Sequence, residues 1–138
     1  FFVTKFFRIL VMIINLGFKK NDSSGSLLAY EFFDIPEFSP QRIYFLTDIK
    51  PNSRRGLHAH KKLTQRVVAI KGSFKVLLDD GENRSEYQLD NPLKSLLIKP
   101  RIWRELYEFT EDAVCLVIAS EKYYESDYIF VLLNSLLT

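Results

Sequence analysis

The chain contains two histidines, His58 and His60, and they are two residues apart in the stretch Arg54-Arg55-Gly56-Leu57-His58-Ala59-His60-Lys61-Lys62-Leu63-Thr64-Gln65. On a β-strand, residues at i and i+2 point to the same face, so both imidazoles share a side of whatever sheet carries them. Three chemistries are open to such a pair. It can ligate a metal, move protons, or sit as hydrogen-bonded structural histidines. A metal needs more anionic or imidazole donors, and no third histidine exists in the chain. Gln65 offers only an amide and Glu105 is the one carboxylate considered as a completing ligand, a poor set for a divalent transition metal. Two partly desolvated imidazoles titrate near neutral pH and are natural acid–base groups. Their placement beside Arg54, Arg55 and several tyrosines favours a functional site over a packed pair.

The elements that must hold this site read as strands. Arg42–Thr47 precedes the histidine loop, and Asp48–Gly56 is a loop containing Pro51-Asn52. Gln65–Ile70 and Ser73–Leu78 flank the turn signal Lys71-Gly72. Ser85–Leu89, Lys94–Lys99, Trp103–Phe109 and Ala113–Ser120 follow, separated by turns at Asp79–Asn83 and Asp90–Pro92. Towards the ends, Val11–Phe18 and Leu27–Phe33 read as strands around a polar loop, Lys19–Ser26. The apolar stretch Tyr128–Leu137 fits either a strand or a helix. Short strands at intervals of about 8–12 residues with few or no helices predict an all-β sandwich or jelly-roll barrel.

Composition agrees. The 138 residues are 47% hydrophobic and 26% charged, enough for one domain with a real core. Twelve Phe, seven Tyr and one Trp lean towards strands. A net charge of +2 gives no reason to expect nucleic-acid or membrane binding. Cys115 is the single cysteine, so no intrachain disulfide forms. It lies in an apolar run that predicts an inert core thiol in a reducing cytoplasm. The apolar start to Phe18 is interrupted by Lys5, Arg8 and Asn15, which argues against a spanning helix, and it is read as an extension ahead of a first strand. With no repeat, low-complexity segment or linker, residues 1–138 are expected to form one domain, with 1–12 a possible extension and 13–130 the core.

His-x-His is the first half of the cupin metal pattern. The glutamate that follows in that pattern is here Gln65, and Gly72 stands where its hairpin glycine is expected. From Pro100, the position that would carry the third histidine is Glu105. More specifically, the chain resembles the metal-independent nucleotide-sugar 3,4-ketoisomerases of the cupin superfamily. The resemblance rests on residues 54–65, on Leu77-Leu78-Asp79-Asp80-Gly81, on Ile102-Trp103-Arg104-Glu105 with Tyr107 and Phe109, and on Ala119-Ser120-Glu121 leading to Tyr124, Asp127 and Tyr128. It implies a cupin jelly roll that isomerises dTDP-4-dehydro-6-deoxy-glucose to a 3-dehydro sugar through an enediol(ate), without metal or redox cofactor, in bacterial surface-glycan biosynthesis.

The resemblance also implies roles. His58 is expected as the main base, with His60 assisting or shuttling the proton. Tyr44 is a proton relay, a sugar contact or a wall residue. Arg54 and Arg55 are candidates for the diphosphate, with only one expected to reach it because neighbours on an extended chain diverge. Arg104 is a phosphate or sugar ligand or else a surface ion pair, and Trp103 and Tyr107 are stacking faces for thymine or core residues. Lys61 and Lys62 read as solvated. A cytoplasmic homodimer exchanging N-terminal strands is the expected assembly. The first loop, Asp22-Ser23-Ser24-Gly25-Ser26-Leu27, lacks the arginine that the family commonly places there. Two other readings carry different chemistry: a nucleotide-sugar 3,5-epimerase-like cupin, and a non-catalytic sugar-binding or assembly cupin.

Overall fold

The computed structural model describes residues 12–31 and 37–131. The expected N-terminal extension up to residue 11 and the apolar tail from residue 132 lie outside the described residues. The chain folds into two five-stranded antiparallel sheets that face each other. The first sheet, in spatial order, is β1 (Ile13–Asn15), β9 (Lys94–Ile98), β6 (Gln65–Lys71), β11 (Val114–Ala119) and β4 (Arg42–Leu46). The second is β12 (Tyr128–Ile129), β5 (Arg55–His60), β10 (Trp103–Tyr107), β7 (Phe74–Asp79) and β8 (Arg84–Leu89). A separate hairpin pairs β2 (Phe18–Asp22) with β3 (Gly25–Ala29). This is the all-β jelly-roll barrel that the strand spacing predicts, in the cupin form that the resemblance implies.

Period-two alternation decides what fills the space between the sheets. Val67 and Ala69 of β6, Val76 and Leu78 of β7, Leu96 and Ile98 of β9, and Cys115 and Val117 of β11 form one buried cluster with Leu106 of β10. Each buried Val, Leu or Ile of this cluster contributes roughly 1.5–3 kcal/mol by leaving water. Cys115 sits in this core, where burial pushes its thiol up to about 12. On β4, Arg42, Tyr44 and Leu46 turn inward while Ile43 and Phe45 are 50% and 52% exposed on the outer face.

Two expectations need correction. Lys19–Ser26 is a hairpin, not a loop: its residues are exposed on both faces, so the strand carries no apolar alternation to reveal it. Its turn is closed by Asp22 Oδ1, which accepts from the backbone N–H of Ser24 at 2.7 Å and of Gly25 at 3.1 Å. The stretch to Phe18 is also not one strand. It breaks at Gly17, whose φ of +95° is open to glycine and whose missing Cβ makes room for the Ala29 carbonyl. At the other end, Tyr128–Ile129 is a strand, entered from a single 3-10 turn at Glu125–Asp127.

Candidate active site

Strand β5 is bent where the site begins. Gly56 and Leu57 take φ values of +83° and +59°, and the pairing with β10 slips register between Arg104 and Glu105. Two successive left-handed residues form a bulge, and a leucine in that region carries strain of about 1–3 kcal/mol, held here beside His58. The bulge brings the Gly56 carbonyl to His58 Nδ1 at 2.9 Å. A carbonyl only accepts, so Nδ1 carries the proton and Nε2 carries the lone pair. That Nε2 is buried with no hydrogen-bond partner among the described residues.

His60 is more deeply buried, at 1% exposure, and its Nδ1 donates to Asp127 Oδ2 at 3.0 Å. The two imidazoles stand edge to face, with centroids 4.8 Å apart. Tyr128 pairs directly with His60 across the β12–β5 ladder and lays its ring 4.8 Å from His58 and 4.4 Å from His60. Burial first, and then the nearby Arg104 guanidinium, push His58 down to about 4; the hydrogen bond to Gly56 opposes this only in part. The same two causes, with His58 as a third, lower His60 against the pull of Asp127. Both rings are therefore neutral at physiological pH, with lone pairs available.

Arg104 is 1% exposed, so it is a buried cation and not a surface ion pair. Its Nε and Nη2 donate to the Ile102 carbonyl at 3.3 and 2.9 Å, while Nη1 is buried without a partner among the described residues. Burial lowers its pKa only to about 10, and it remains charged. Tyr44 is held at about 12 chiefly by burial, so its phenol keeps its proton. Gln65, in the place of the missing anionic ligand, leaves Oε1 buried and unpartnered among the described residues.

His58, Arg104, Tyr44 and Gln65 converge on one cavity of about 470 Å³ between the sheets, in the range of small-molecule sites, whereas His60 does not line it and meets it only through its ring contacts with His58 and Tyr128. Arg42, Tyr44, Gln65, His58, Arg104 and Tyr128 line it above an apolar floor of Leu46, Leu106 and Val117. Arg54 and Arg55 both line its wall, just ahead of the bulge. Arg54 lies over the Tyr107 ring at 4.2 Å and 3.9 Å from Glu105.

Trp103 and Tyr107 do not line the cavity. They share one face of β10 with Glu105, while Arg104 and Leu106 take the inward face. Trp103 instead packs with Ala59 and Ile129 under β12, and Tyr107 hydrogen-bonds Glu86 and supports Arg54. The same parity directs Glu105 away from the histidines, and among the described residues no three His, Cys, Asp or Glu side chains gather to hold a metal ion. The donor set does not fit a metal. Lys61 and Lys62 are exposed. Arg42, Asp127 and Tyr128 are residues of the site to which the sequence analysis assigned no role, although Asp127 and Tyr128 belong to the stretch that carries the resemblance. Arg42 shares the face of Tyr44 two residues on, a signal that was there to be read. For Asp127 and Tyr128 nothing local shows that their stretch returns to the histidines, a pairing that the fold makes.

A cupin barrel whose cavity is lined by the neutral imidazole of His58 and the buried guanidinium of Arg104, with the second imidazole of His60 packed edge to face against the first, forms a site suited to acid–base chemistry. The family described as "FdtA: WxcM-like, C-terminal" matches residues 10–132. A TDP-4-oxo-6-deoxy-alpha-D-glucose-3,4-oxoisomerase from Aneurinibacillus thermoaerophilus is 45% identical over 115 residues, covering 83% of each chain. A 3,4-ketoisomerase from Helicobacter canadensis is 38% identical with a TM-score of 0.82, over 91% of this chain and 96% of its own. A histidine-to-asparagine variant of a 3,4-ketoisomerase from Thermoanaerobacterium thermosaccharolyticum, solved with TDP-4-keto-6-deoxyglucose, is 36% identical with a TM-score of 0.79, over 87% and 88%. The chain belongs to this family of sugar 3,4-ketoisomerases.

Proposed function

We propose that the protein isomerises a TDP-4-keto-6-deoxyhexose to the 3-keto sugar by histidine acid–base catalysis, in surface-glycan biosynthesis. The observation that carries the reading is the pair of imidazoles whose Nδ1 protons are committed to Gly56 O and Asp127, which leaves Nε2 of His58 as a buried base at the cavity wall. His58 removes the C3 proton, and the electrons move into the C4 carbonyl to give an enediolate. The unpartnered Nη1 of Arg104 supplies a charged donor for the developing oxyanion. Tyr44 or His60 carries a proton between the two oxygens, and a proton returns at C4. Hydrogen moves only as protons, so the balance requires no oxidant or reductant.

Arg42, Arg54, Arg55 and Arg104 put four guanidiniums on the cavity wall and no carboxylate joins them among the described lining residues, which suits a diphosphate. The substrate identity rests on the relatives' substrate. Incubation with TDP-4-keto-6-deoxyglucose in heavy water should exchange the hydrogen at C3. Folded protein that leaves C3 unexchanged would refute the reading, and exchange at both C3 and C5 would point to an epimerase. A non-catalytic sugar binder would hold the substrate without exchange.

We also propose a homodimer, expected to exchange N-terminal strands, in the cytoplasm. Support comes from the outer face of the first sheet, where exposed Ile43 and Phe45 meet Leu28, Tyr30 and Ile118 in an apolar groove. A second copy of the chain would cover it. Light scattering at micromolar concentration should give the dimer mass, and Phe45→Glu should shift it to the monomer. Among the described residues no helix is long and apolar enough to cross a membrane.

A further inference from the structure

We propose that Asp127 is a positioning residue that acts through His60, holding the His60 proton on Nδ1 so that Nε2 is left as the basic atom. The carboxylate is itself held on both oxygens. Oδ1 accepts from the backbone N–H of Lys62 at 2.8 Å, and Oδ2 from that of Leu63 at 3.3 Å. The Asp127 carbonyl accepts from Lys61 N–H at 2.8 Å, so the 3-10 turn is fastened to the end of β5 through backbone donors. Against that fixed acceptor, the His60 ring has one orientation in which Nδ1–H is satisfied.

The charged and titratable groups around His60 are His58, Arg104, Tyr128 and Asp127. Asp127 favours an imidazolium, yet burial and Arg104 outweigh it. Its function is therefore orientation and choice of tautomer, not charging the ring. The turn has a second effect, because Tyr128 is its next residue and is set over both imidazoles.

The role in turnover rests on the ketoisomerase reading, whereas the tautomer does not. In ¹⁵N-labelled wild-type protein at neutral pH, His60 should show a pyrrole-type Nδ1 and a pyridine-type Nε2. A pyrrole-type Nε2 in the wild type overturns the proposal whether or not any variant folds. Asp127→Ala should populate the other tautomer and lower kcat by about 10²-fold or more, with KM within about threefold. Asp127→Asn keeps one oxygen acceptor and should recover kcat in proportion to the fraction of His60 still protonated on Nδ1. Glu125→Gln, in the same turn, should leave kcat unchanged. Loss of kcat with the tautomer intact, or full kcat with it lost, overturns the proposal. Absence of C3 exchange in the wild type would instead remove the ketoisomerase reading and leave the tautomer result standing.

Discussion

Replacing Gly56 by alanine tests the bulge as the device that aims the site. The residue sits at φ +83°, where a Cβ costs about 1–2 kcal/mol. That Cβ would meet the Arg104 carbonyl oxygen at 2.9 Å and Arg104 Cγ at 3.3 Å, so backbone must shift. Overpacking of this kind costs about 1–3 kcal/mol, and with the conformational cost the loss is about 2–5 kcal/mol. For a chain of this size that lowers the melting temperature by roughly 10 °C. The same shift moves the Gly56 carbonyl that orients His58 and the strand that carries Arg104. A displacement of about 1 Å at the reacting groups lowers kcat about 10²-fold. Thermal melting by circular dichroism and C3 exchange by NMR read the two effects. Gly25→Ala is the control: it too has positive φ, at +149°, but its Cβ would meet nothing within 4 Å. That variant should melt closer to the wild type and exchange C3 at the wild-type rate. A Gly56→Ala protein as stable and as active as Gly25→Ala would refute the reasoning.

The remaining predictions concern charge at the site. Because His58 is held down to about 4, the acid limb of kcat/KM should fall well below the ordinary histidine value of 6.5, and a midpoint at 6.5 would contradict the buried-base assignment. Between those two values the unfolded chain binds more protons than the folded one, so stability should drop as pH falls from 6.5 towards 4, read as a falling melting temperature. Arg104→Met should lower kcat by about 10²–10³-fold while leaving the melting temperature unchanged or higher, since an apolar side chain replaces a buried cation. The acid limb should also move up in that variant, because Arg104 is a cause of the lowered His58 value. Arg54→Ala should raise KM for the TDP-sugar with little change in kcat, and added salt should shrink the difference because Arg54 is half exposed. Tyr107→Leu should act in the same direction by removing the ring beneath the Arg54 guanidinium.

Much of the site was legible locally. Two-residue spacing put His58 and His60 on one face, and the short strands between polar turns specified an all-β barrel. Those are properties of neighbours along the chain, which alternation and turn chemistry determine without tertiary context. Parity on β10 was equally legible: Arg104 could not share a face with Trp103, Glu105 and Tyr107, and the structure assigns the inward face to Arg104. The β2–β3 hairpin was not legible, because a strand exposed on both faces has no hydrophobic period.

What only the tertiary structure decided is the chemical state of the pair. The proton on His58 Nδ1 follows from a bulge that turns the Gly56 carbonyl back onto the ring, and that on His60 Nδ1 from Asp127, 67 residues further along. The neutrality of both rings follows from burial and from a guanidinium delivered by another strand. Sequence spacing determines which way a side chain faces. Desolvation and long-range charge determine which of its atoms holds the proton, and those depend on every element packed around it.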